Sequence, residues 1–201
     1  VKNNSLNLSR QSTQIGSEII GISENQCENE IISLMIESLE LLRIKKFFIN
    51  FTMPTLILAI EKDFKLSKID LEFVRDKFNN KNTEGLEKIS KQLKTISDVL
   101  IESVGDAKLK LKKLKKIKFT TNINYEIQSF IKITSRIIKD FPNLEILIDP
   151  LEIDESNYHT GIAFKVFSEN LKELFSGGNY KVSNENCIGF SGFTESLLLE
   201  S

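Results

Sequence analysis

The chain has 201 residues, of which 40% are hydrophobic and 27% are charged, and its 27 basic and 28 acidic residues give a formal net charge of −1. These values are ordinary for a soluble globular protein, and they argue against the disordered and fibrous classes and against a globally basic nucleic-acid binder. Two cysteines and one histidine are too few for a disulfide framework or a multi-histidine zinc site, so we expect no metal and no cofactor. Arginine is scarce, occurring only at Arg10, Arg43, Arg75 and Arg136.

The first part of the chain predicts two short strands among helices. Residues 14–20 (QIGSEII) favour a strand that ends at Gly21, and residues 46–51 favour a second one. Apolar residues at helical spacing predict a helix over residues 24–43. Pro54 suits the first turn of a further helix that runs to about Lys62.

The most apolar stretch, residues 47–60 (FFINFTMPTLILAI), does not predict a membrane span. Asn50, Thr52 and Pro54 interrupt it, and it is shorter than a bilayer requires. The chain begins Val-Lys-Asn-Asn, which is not a signal peptide. We therefore expect a cytoplasmic protein with reduced thiols and no membrane contact.

The middle third is charged and predominantly helical. Residues 67–78 predict one helix, and a stripe of leucine and isoleucine from residue 86 to residue 100 predicts another. Lys108–Lys118 (KLKLKKLKKIK) is the chain's charge run. It is either the solvated side of an amphipathic helix or a basic patch for RNA or an acidic partner. Because no aromatic residue interleaves the lysines, bases would have nothing to stack on, and we do not expect a nucleic-acid partner.

The last third returns to strands. A helix is predicted over residues 125–140, strands over 144–149, 161–167, 171–175 and 187–193, and a final helix from Thr194. Gly177-Gly178 is a turn signal between two of these strands. The order of elements predicts an α+β fold with an antiparallel sheet and a helical insertion at about residues 62–118.

Few residues offer catalytic chemistry by themselves. The sole histidine, His159, enters a strand, where a structural or pocket-lining role is more common than that of a general base. Gln14 and Glu18 are four residues apart, so both would point to one face of a strand. Such a pair could hold an ammonium group, and ordinary surface polarity is the alternative.

Four segments match a family pattern in order. Residues 10–21 (RQSTQIGSEIIG) are similar to R-[QER]-F-x-Q-x-G-x-E-x-x-G, and residues 24–50 follow as a helix and a strand. Residues 158–164 (YHTGIAF) are similar to Y-Y-T-G-x-x-F. Residues 177–180 (GGNY) and 188–196 (IGFSGFTES) are similar to G-G-R-Y and G-F-x-x-G-x-E-R. Together they resemble the histidyl-tRNA synthetase family, which includes a non-catalytic relative, the regulatory subunit of ATP phosphoribosyltransferase.

The resemblance implies a fold and a ligand site. The fold would be that of class II aminoacyl-tRNA synthetases, an antiparallel sheet flanked by helices, with the N-terminal part of the domain missing and the present chain a single partial domain over residues 1–201. Histidine would be bound by four residues: the motif 2 pair Gln14 and Glu18 at its ammonium group, and Tyr158 and His159 near its imidazole.

The resemblance also implies that the ATP-binding cations have been lost. Asp154, Asn179 and Ser196 stand where the synthetases have arginine. A carboxylate in place of a cation beside a triphosphate is repulsive, and losing even one such donor costs about 10²–10³ in rate. We therefore expect no catalytic residues and no adenylate formation.

The favoured hypothesis is a non-catalytic regulatory subunit of ATP phosphoribosyltransferase, needed for activity and for histidine feedback in the first step of histidine biosynthesis. Its partner would be the short-form catalytic subunit, in a hetero-oligomer, and free histidine would be its effector. One alternative is a histidyl-tRNA synthetase or a degenerate paralogue of it. Another is an adaptor that binds RNA or protein through Lys108–Lys118.

Overall fold

The computed structural model of the chain describes residues 12–21, 27–153 and 158–201. The strands are β1 (Gln14–Ile20), β2 (Phe47–Thr52), β3 (Gly105–Asp106), β4 (Glu145–Asp149), β5 (His159–Ser168), β6 (Glu173–Val182) and β7 (Glu185–Phe193). The helices are α1 (Cys27–Leu41), α2 (Leu56–Phe64), α3 (Lys68–Asn79), α4 (Lys91–Glu102), α5 (Ala107–Leu114), α6 (Thr121–Asp140) and α7 (Thr194–Glu200), with a 3₁₀ turn at Leu86–Lys88.

These seven strands form one mixed sheet in the order β1-β7-β6-β5-β2-β4-β3. Neighbouring strands are antiparallel except for β2 and β4, which run parallel with Phe48 beside Glu145 and Thr52 beside Asp149. The prediction of an antiparallel sheet was therefore wrong for this pair. The long helical connection between β2 and β4 allows the parallel pairing, because a parallel pair cannot be joined by a tight turn.

Helices pack against one face of the sheet, which we call the covered face. On β2 this face carries Ile49 and Phe51, which are buried in a continuous core with Met35 of α1 and Phe130 of α6. Phe51 also meets Phe164 of β5 edge to face, with ring centroids 6.0 Å apart. Burial of this apolar face supplies the main driving force for folding.

Polar residues and glycines occupy much of the opposite face, which we call the cleft face. The strand register places Gly16, Ser191 and Ser176 side by side across β1, β7 and β6. The same register continues through Lys165 of β5 to Asn50 of β2. The cleft face therefore brings together side chains from distant parts of the sequence.

The double glycine is not a turn, in contrast to the sequence-based prediction. Gly177 and Gly178 lie in the middle of β6, which extends to Val182. The turn into β7 is made by Ser183 and Asn184, whose φ angles of 49° and 73° are both in the left-handed region. Two such residues between paired strands are the requirement of a type I′ hairpin turn.

The middle of the chain is helical, as predicted. The stripe predicted as one helix is divided into the 3₁₀ turn and α4, because the hydroxyl of Ser90 accepts a hydrogen bond from the backbone N–H of Leu93 and caps a new helix. Val74, Leu86 and Leu100 of this region are buried in the same core as the sheet. That residues 62–118 are an insertion stays a prediction. Within the described ranges, no helix combines the length and apolarity needed to cross a membrane.

Candidate functional site

A cleft of about 620 Å³ lies on the cleft face, over strands β1, β7, β6 and β5. Its lining comes from these four strands and from the residue that precedes β5. The lining residues are Gln14, Ile15, Gly16, Ser17, Glu18, Tyr158, His159, Ser176, Gly177, Gly178, Tyr180, Gly189, Phe190 and Ser191. The site is thus built on a sheet, whose neighbouring strands fix the spacing of its side chains.

Two glycines, Gly178 and Gly189, leave the floor of the cleft without side chains. A β-carbon at Gly189 would lie 2.8 Å from the carbonyl oxygen of Ser17 and 2.9 Å from Cβ of Glu18. Gly178 has a φ of 153°, and a β-carbon there would lie 2.6 Å from the carbonyl oxygen of Ile162. Because these separations are well inside van der Waals contact, side chains at either position would push the adjacent strand away.

A carboxylate and a phenol face each other across this floor. The hydroxyl of Tyr180 on β6 donates a hydrogen bond to Oε2 of Glu18 on β1, spanning the intervening β7. Tyr180 is only 6% exposed. Burial and then the hydrogen bond to Glu18 raise the pKa of Tyr180, so its hydroxyl remains a proton donor at neutral pH. This contact holds Glu18 in position and leaves its other oxygen for a ligand.

Aromatic rings form one wall of the cleft. The ring of Tyr158 stacks on that of Tyr180, with centroids 5.2 Å apart and planes 17° from parallel. The ring of His159 meets that of Tyr158 edge to face, with centroids 5.3 Å apart. Burial and the nearby Glu18 carboxylate raise the pKa of Tyr158. Aromatic faces beside a carboxylate suit a ligand that carries a cation or an aromatic ring.

Gln14 closes the β1 end of the cleft. Its side-chain Nε2 donates a hydrogen bond to Oγ of Ser191 on β7, at 2.6 Å. Gln14 and Glu18 are both even-numbered positions of β1, so they point to the same face, as the sequence predicted. Together they place an amide and a carboxylate at one edge of the site.

The structure brings together the four residues that the resemblance associates with histidine. Gln14, Glu18, Tyr158 and His159 all line the cleft. Among its described lining residues, Glu18 is the sole acid and neither lysine nor arginine occurs. The cleft therefore carries local negative charge.

Of the three positions where the resemblance implies lost ATP contacts, the two that the structure describes do not line the cleft. Asn179 lies between Gly178 and Tyr180 on β6, so its side chain points to the opposite face of the strand. Ser196 lies in α7 and is not among the lining residues. Asp154 lies outside the described residues. The assignment of these positions stays a prediction.

Sequence reasoning missed Tyr180 and Ser191, which fix the two residues of β1. The alternation of side chains along a strand could have identified Tyr180. Because β6 continues through the glycines, Gly178 and Tyr180 point to the same face of the sheet. Assigning Gly177-Gly178 to a turn placed Tyr180 outside this strand and so obscured the pattern.

A smaller cavity of about 320 Å³ adjoins the cleft and shares Tyr158, His159 and Ser176 with it. Its polar centre is an ion pair between Nζ of Lys165 and Oε1 of Glu152, at 2.6 Å. The cleft face is therefore polar well beyond the predicted histidine site, and its charges there are paired.

Comparison with known proteins shows the family. The family model for histidyl-tRNA synthetase matches residues 1–197. An ATP phosphoribosyltransferase regulatory subunit from Rhodospirillum centenum is 25% identical over 201 residues, covering 98% of this chain and 52% of that protein. One from Hahella chejuensis is 30% identical over 189 residues, covering 89% and 46%. The chain thus spans about half the length of these curated relatives.

Solved structures share the fold. An ATP phosphoribosyltransferase regulatory subunit/histidyl-tRNA synthetase from Bacillus halodurans superposes with a TM-score of 0.78 at 19% identity, over 93% of this chain and 52% of that one. A chain of the ATP phosphoribosyl transferase (HisG:HisZ) complex from Thermotoga maritima gives 0.70 at 18% identity, over 90% and 66%. These similarities confirm the predicted synthetase-like α+β fold. Because the family model covers nearly the whole sequence, the chain belongs to the histidyl-tRNA synthetase family.

Proposed function

We propose that the chain serves in a non-catalytic regulatory subunit of ATP phosphoribosyltransferase and that its cleft binds free histidine. The observation that carries this proposal is the convergence of Gln14, Glu18, Tyr158 and His159 on one cleft whose described lining contains neither lysine nor arginine. The names of the relatives from R. centenum and H. chejuensis support the same role.

Histidine fits the chemistry of the cleft. Its ammonium group would pair with Oε1 of Glu18, the oxygen that Tyr180 leaves available, beside the amide of Gln14. Its imidazole would pack against the wall of Tyr158 and His159. A charge-assisted contact at one end and an aromatic contact at the other would select an amino acid with a flat side chain.

The same cleft is poorly suited to activating histidine with ATP. Adenylate formation concentrates negative charge on the triphosphate, and enzymes stabilise that charge with cations and hydrogen-bond donors. The described lining offers Glu18, which would repel the phosphates, and contains no lysine or arginine. The description of the family model as histidyl-tRNA synthetase keeps a synthetase as the second candidate, and the composition of the cleft argues against it.

Regulation would follow if histidine binds one conformation of the subunit better than another. The short-form catalytic subunit, in a cytoplasmic hetero-oligomer, would then respond to that conformation, because a ligand shifts an equilibrium by its differential affinity for the two states. The T. maritima complex, in which a chain of this fold occurs, supports such an assembly. The result would be feedback by histidine on the first step of its own synthesis.

Calorimetric titration of the chain with histidine, and separately with ATP, tests the proposal. We expect histidine to bind and ATP not to bind. Glu18→Gln should weaken histidine binding by about ten- to a hundredfold, because the contact between two charges is lost. Glu173→Gln, which alters an exposed carboxylate at the start of β6, is the matched control and should leave the affinity unchanged.

Two activity measurements separate the candidates. Histidine-dependent exchange of pyrophosphate into ATP would contradict the proposal and establish a synthetase. Addition of the chain to a short-form catalytic subunit should raise phosphoribosyl transfer to ATP and make it sensitive to histidine. If histidine inhibits equally with wild-type chain and with Glu18→Gln, the cleft is not the effector site.

A further inference from the structure

Lysines are concentrated at one end of the molecule, on α5 and the residues that follow it. Residues 107–120 contain seven lysines and no acidic residue, although the whole chain has a net charge of −1. Four of these lysines are exposed, and their side-chain ammonium groups make no hydrogen bond or ion pair with any described residue. We call Lys112, Lys115, Lys116 and Lys118 the lysine surface.

The other three lysines have partners that hold α5 in place. Nζ of Lys108 donates to the carbonyl oxygen of Pro142 at 2.7 Å. Nζ of Lys110 donates to the carbonyl oxygen of Glu102 at 2.8 Å, and Lys113 pairs with the carboxylate of the same residue. The lysines of α5 and of the residues that follow it are thus divided into a set that anchors the helix and a set that faces solvent.

The lysine surface is remote from the cleft. Helix α5 packs on β4 and α6 through buried Ala107, Leu111 and Leu114. These residues belong to the core on the covered face, whereas the cleft lies on the opposite face. Strand β4 is two positions from β5, the nearest strand that lines the cleft, and five positions from β1, which is roughly 10 Å and 24 Å at about 4.8 Å per strand. A partner bound at the lysine surface would therefore leave the cleft open to a small ligand.

The stability of α5 does not account for this charge. Lysines in the last turn of a helix interact favourably with its dipole, which explains Lys112. Lys115, Lys116 and Lys118 lie beyond Leu114, the last residue of the helix, and like charges so close together repel one another. An acidic surface opposite them would remove that repulsion and favour association.

Chemistry near the lysine surface favours a protein over a nucleic acid. Leu109, one turn before Lys112 on the same side of α5, is 67% exposed. Apolar contacts surrounded by charged groups are typical of protein interfaces. Residues 107–118 contain no aromatic residue for base stacking and no arginine for bidentate phosphate contacts.

We infer that the lysine surface, with Leu109, docks an acidic surface of a partner protein. This inference rests on the proposed function in taking the catalytic subunit of ATP phosphoribosyltransferase as that partner. Electrostatic attraction would speed association, and Leu109 would add apolar contact that salt does not screen. Histidine sensing and subunit docking would then occupy opposite ends of one sheet.

The test compares two charge-reversal variants of the full chain in binding to the catalytic subunit. In the first, Lys112, Lys115, Lys116 and Lys118 are each changed to Glu. In the matched control, the exposed Lys62, Lys68, Lys88 and Lys91 are changed to Glu, so that the net charge is the same. We expect the first variant to bind at least about tenfold more weakly and the control to change far less. Thermal melting monitored by circular dichroism verifies that both variants fold.

Two further measurements complete the design. Leu109→Ser should weaken the complex without altering its dependence on salt concentration, whereas the first variant should lose most of that dependence. Histidine affinity should be the same in all variants, since the cleft is remote.

Each outcome has one meaning. Equal binding by both charge-reversal variants overturns the docking inference and leaves the proposed function standing. Failure of the wild-type chain to bind the catalytic subunit overturns the proposed function and the docking inference with it. Binding of an RNA hairpin that the first variant loses, with subunit binding unaffected, assigns the surface to nucleic acid and overturns the inference.

Discussion

The two faces of the sheet differ most clearly along β2, where neighbouring residues point in opposite directions. Ile49 and Phe51 point to the covered face and are almost completely buried in the core. Phe48 and Asn50 point to the cleft face and remain half-buried. Asn50 donates a hydrogen bond to Glu152 there, so even the centre of this face carries polar contacts.

Within this one sheet, the covered face contributes mainly to stability and the cleft face contributes mainly to function. Dense apolar packing on the covered face resists any change of volume. On the cleft face, glycines and hydrogen-bonded polar groups leave space, which costs packing energy but creates a site. Mutations of the covered face should therefore alter the free energy of unfolding, and mutations of the cleft face should alter binding.

The strongest test of the comparison uses one residue type on one strand. Phe51→Ala removes a buried ring and should lower the free energy of unfolding by about 3–5 kcal/mol. Phe48→Ala removes a ring that stacks on Phe167 at the cleft face, 5.5 Å between centroids, and should cost about 1 kcal/mol. Urea denaturation of both variants measures the difference. Equal losses in the free energy of unfolding would mean that side chains on the cleft face also form part of a hydrophobic core.

A smaller effect on stability and a larger one on binding are expected at Gly189. In Gly189→Val, the new side chain would collide with Ser17 and Glu18 of β1, the edge strand. We expect a loss of about 1–3 kcal/mol in stability, because β1 must shift, and loss of measurable histidine binding. Ser176→Ala, which adds no bulk to the cleft lining, is the control. Retention of histidine binding by the valine variant would show that the ligand does not need β1.

Much of the fold could be predicted because its elements carry local signals. Apolar spacing identified the helices, and alternation on β1 correctly placed Gln14 and Glu18 on one face. The direction of β2 relative to β4 could not be predicted in this way. It depends on the path of the helices between the two strands, which no local pattern records.

The site residues could be predicted where the resemblance supplied them. They could not be predicted near the double glycine, because glycine is compatible both with a turn and with close packing of two strands. A double glycine favours turns, yet Gly178 is needed here because β5 passes so close to β6. That close approach is a tertiary contact and is invisible in the sequence. Tyr180 was missed for the same reason, although its hydroxyl holds Glu18.

The smallest expected effect concerns Tyr180, the most buried polar group of the aromatic wall. Tyr180→Phe removes the hydrogen bond to Glu18 and should cost about 1 kcal/mol at neutral pH. Burial and that hydrogen bond raise the pKa of Tyr180, so the folded chain keeps the phenolic proton at a pH where the unfolded chain releases it. The tyrosine therefore contributes stability below about pH 10 that is lost as the pH rises further.

The free energy of unfolding of wild type should accordingly fall more steeply than that of Tyr180→Phe as the pH is raised from about 9 to about 11. Tyr125→Phe, at a position 74% exposed, should follow wild type. Parallel slopes for all three proteins would show that the Tyr180–Glu18 contact does not persist in solution. Glu18 would then lack a fixed orientation, and the cleft would have to order its carboxylate when histidine binds, at an entropic cost that preorganisation avoids.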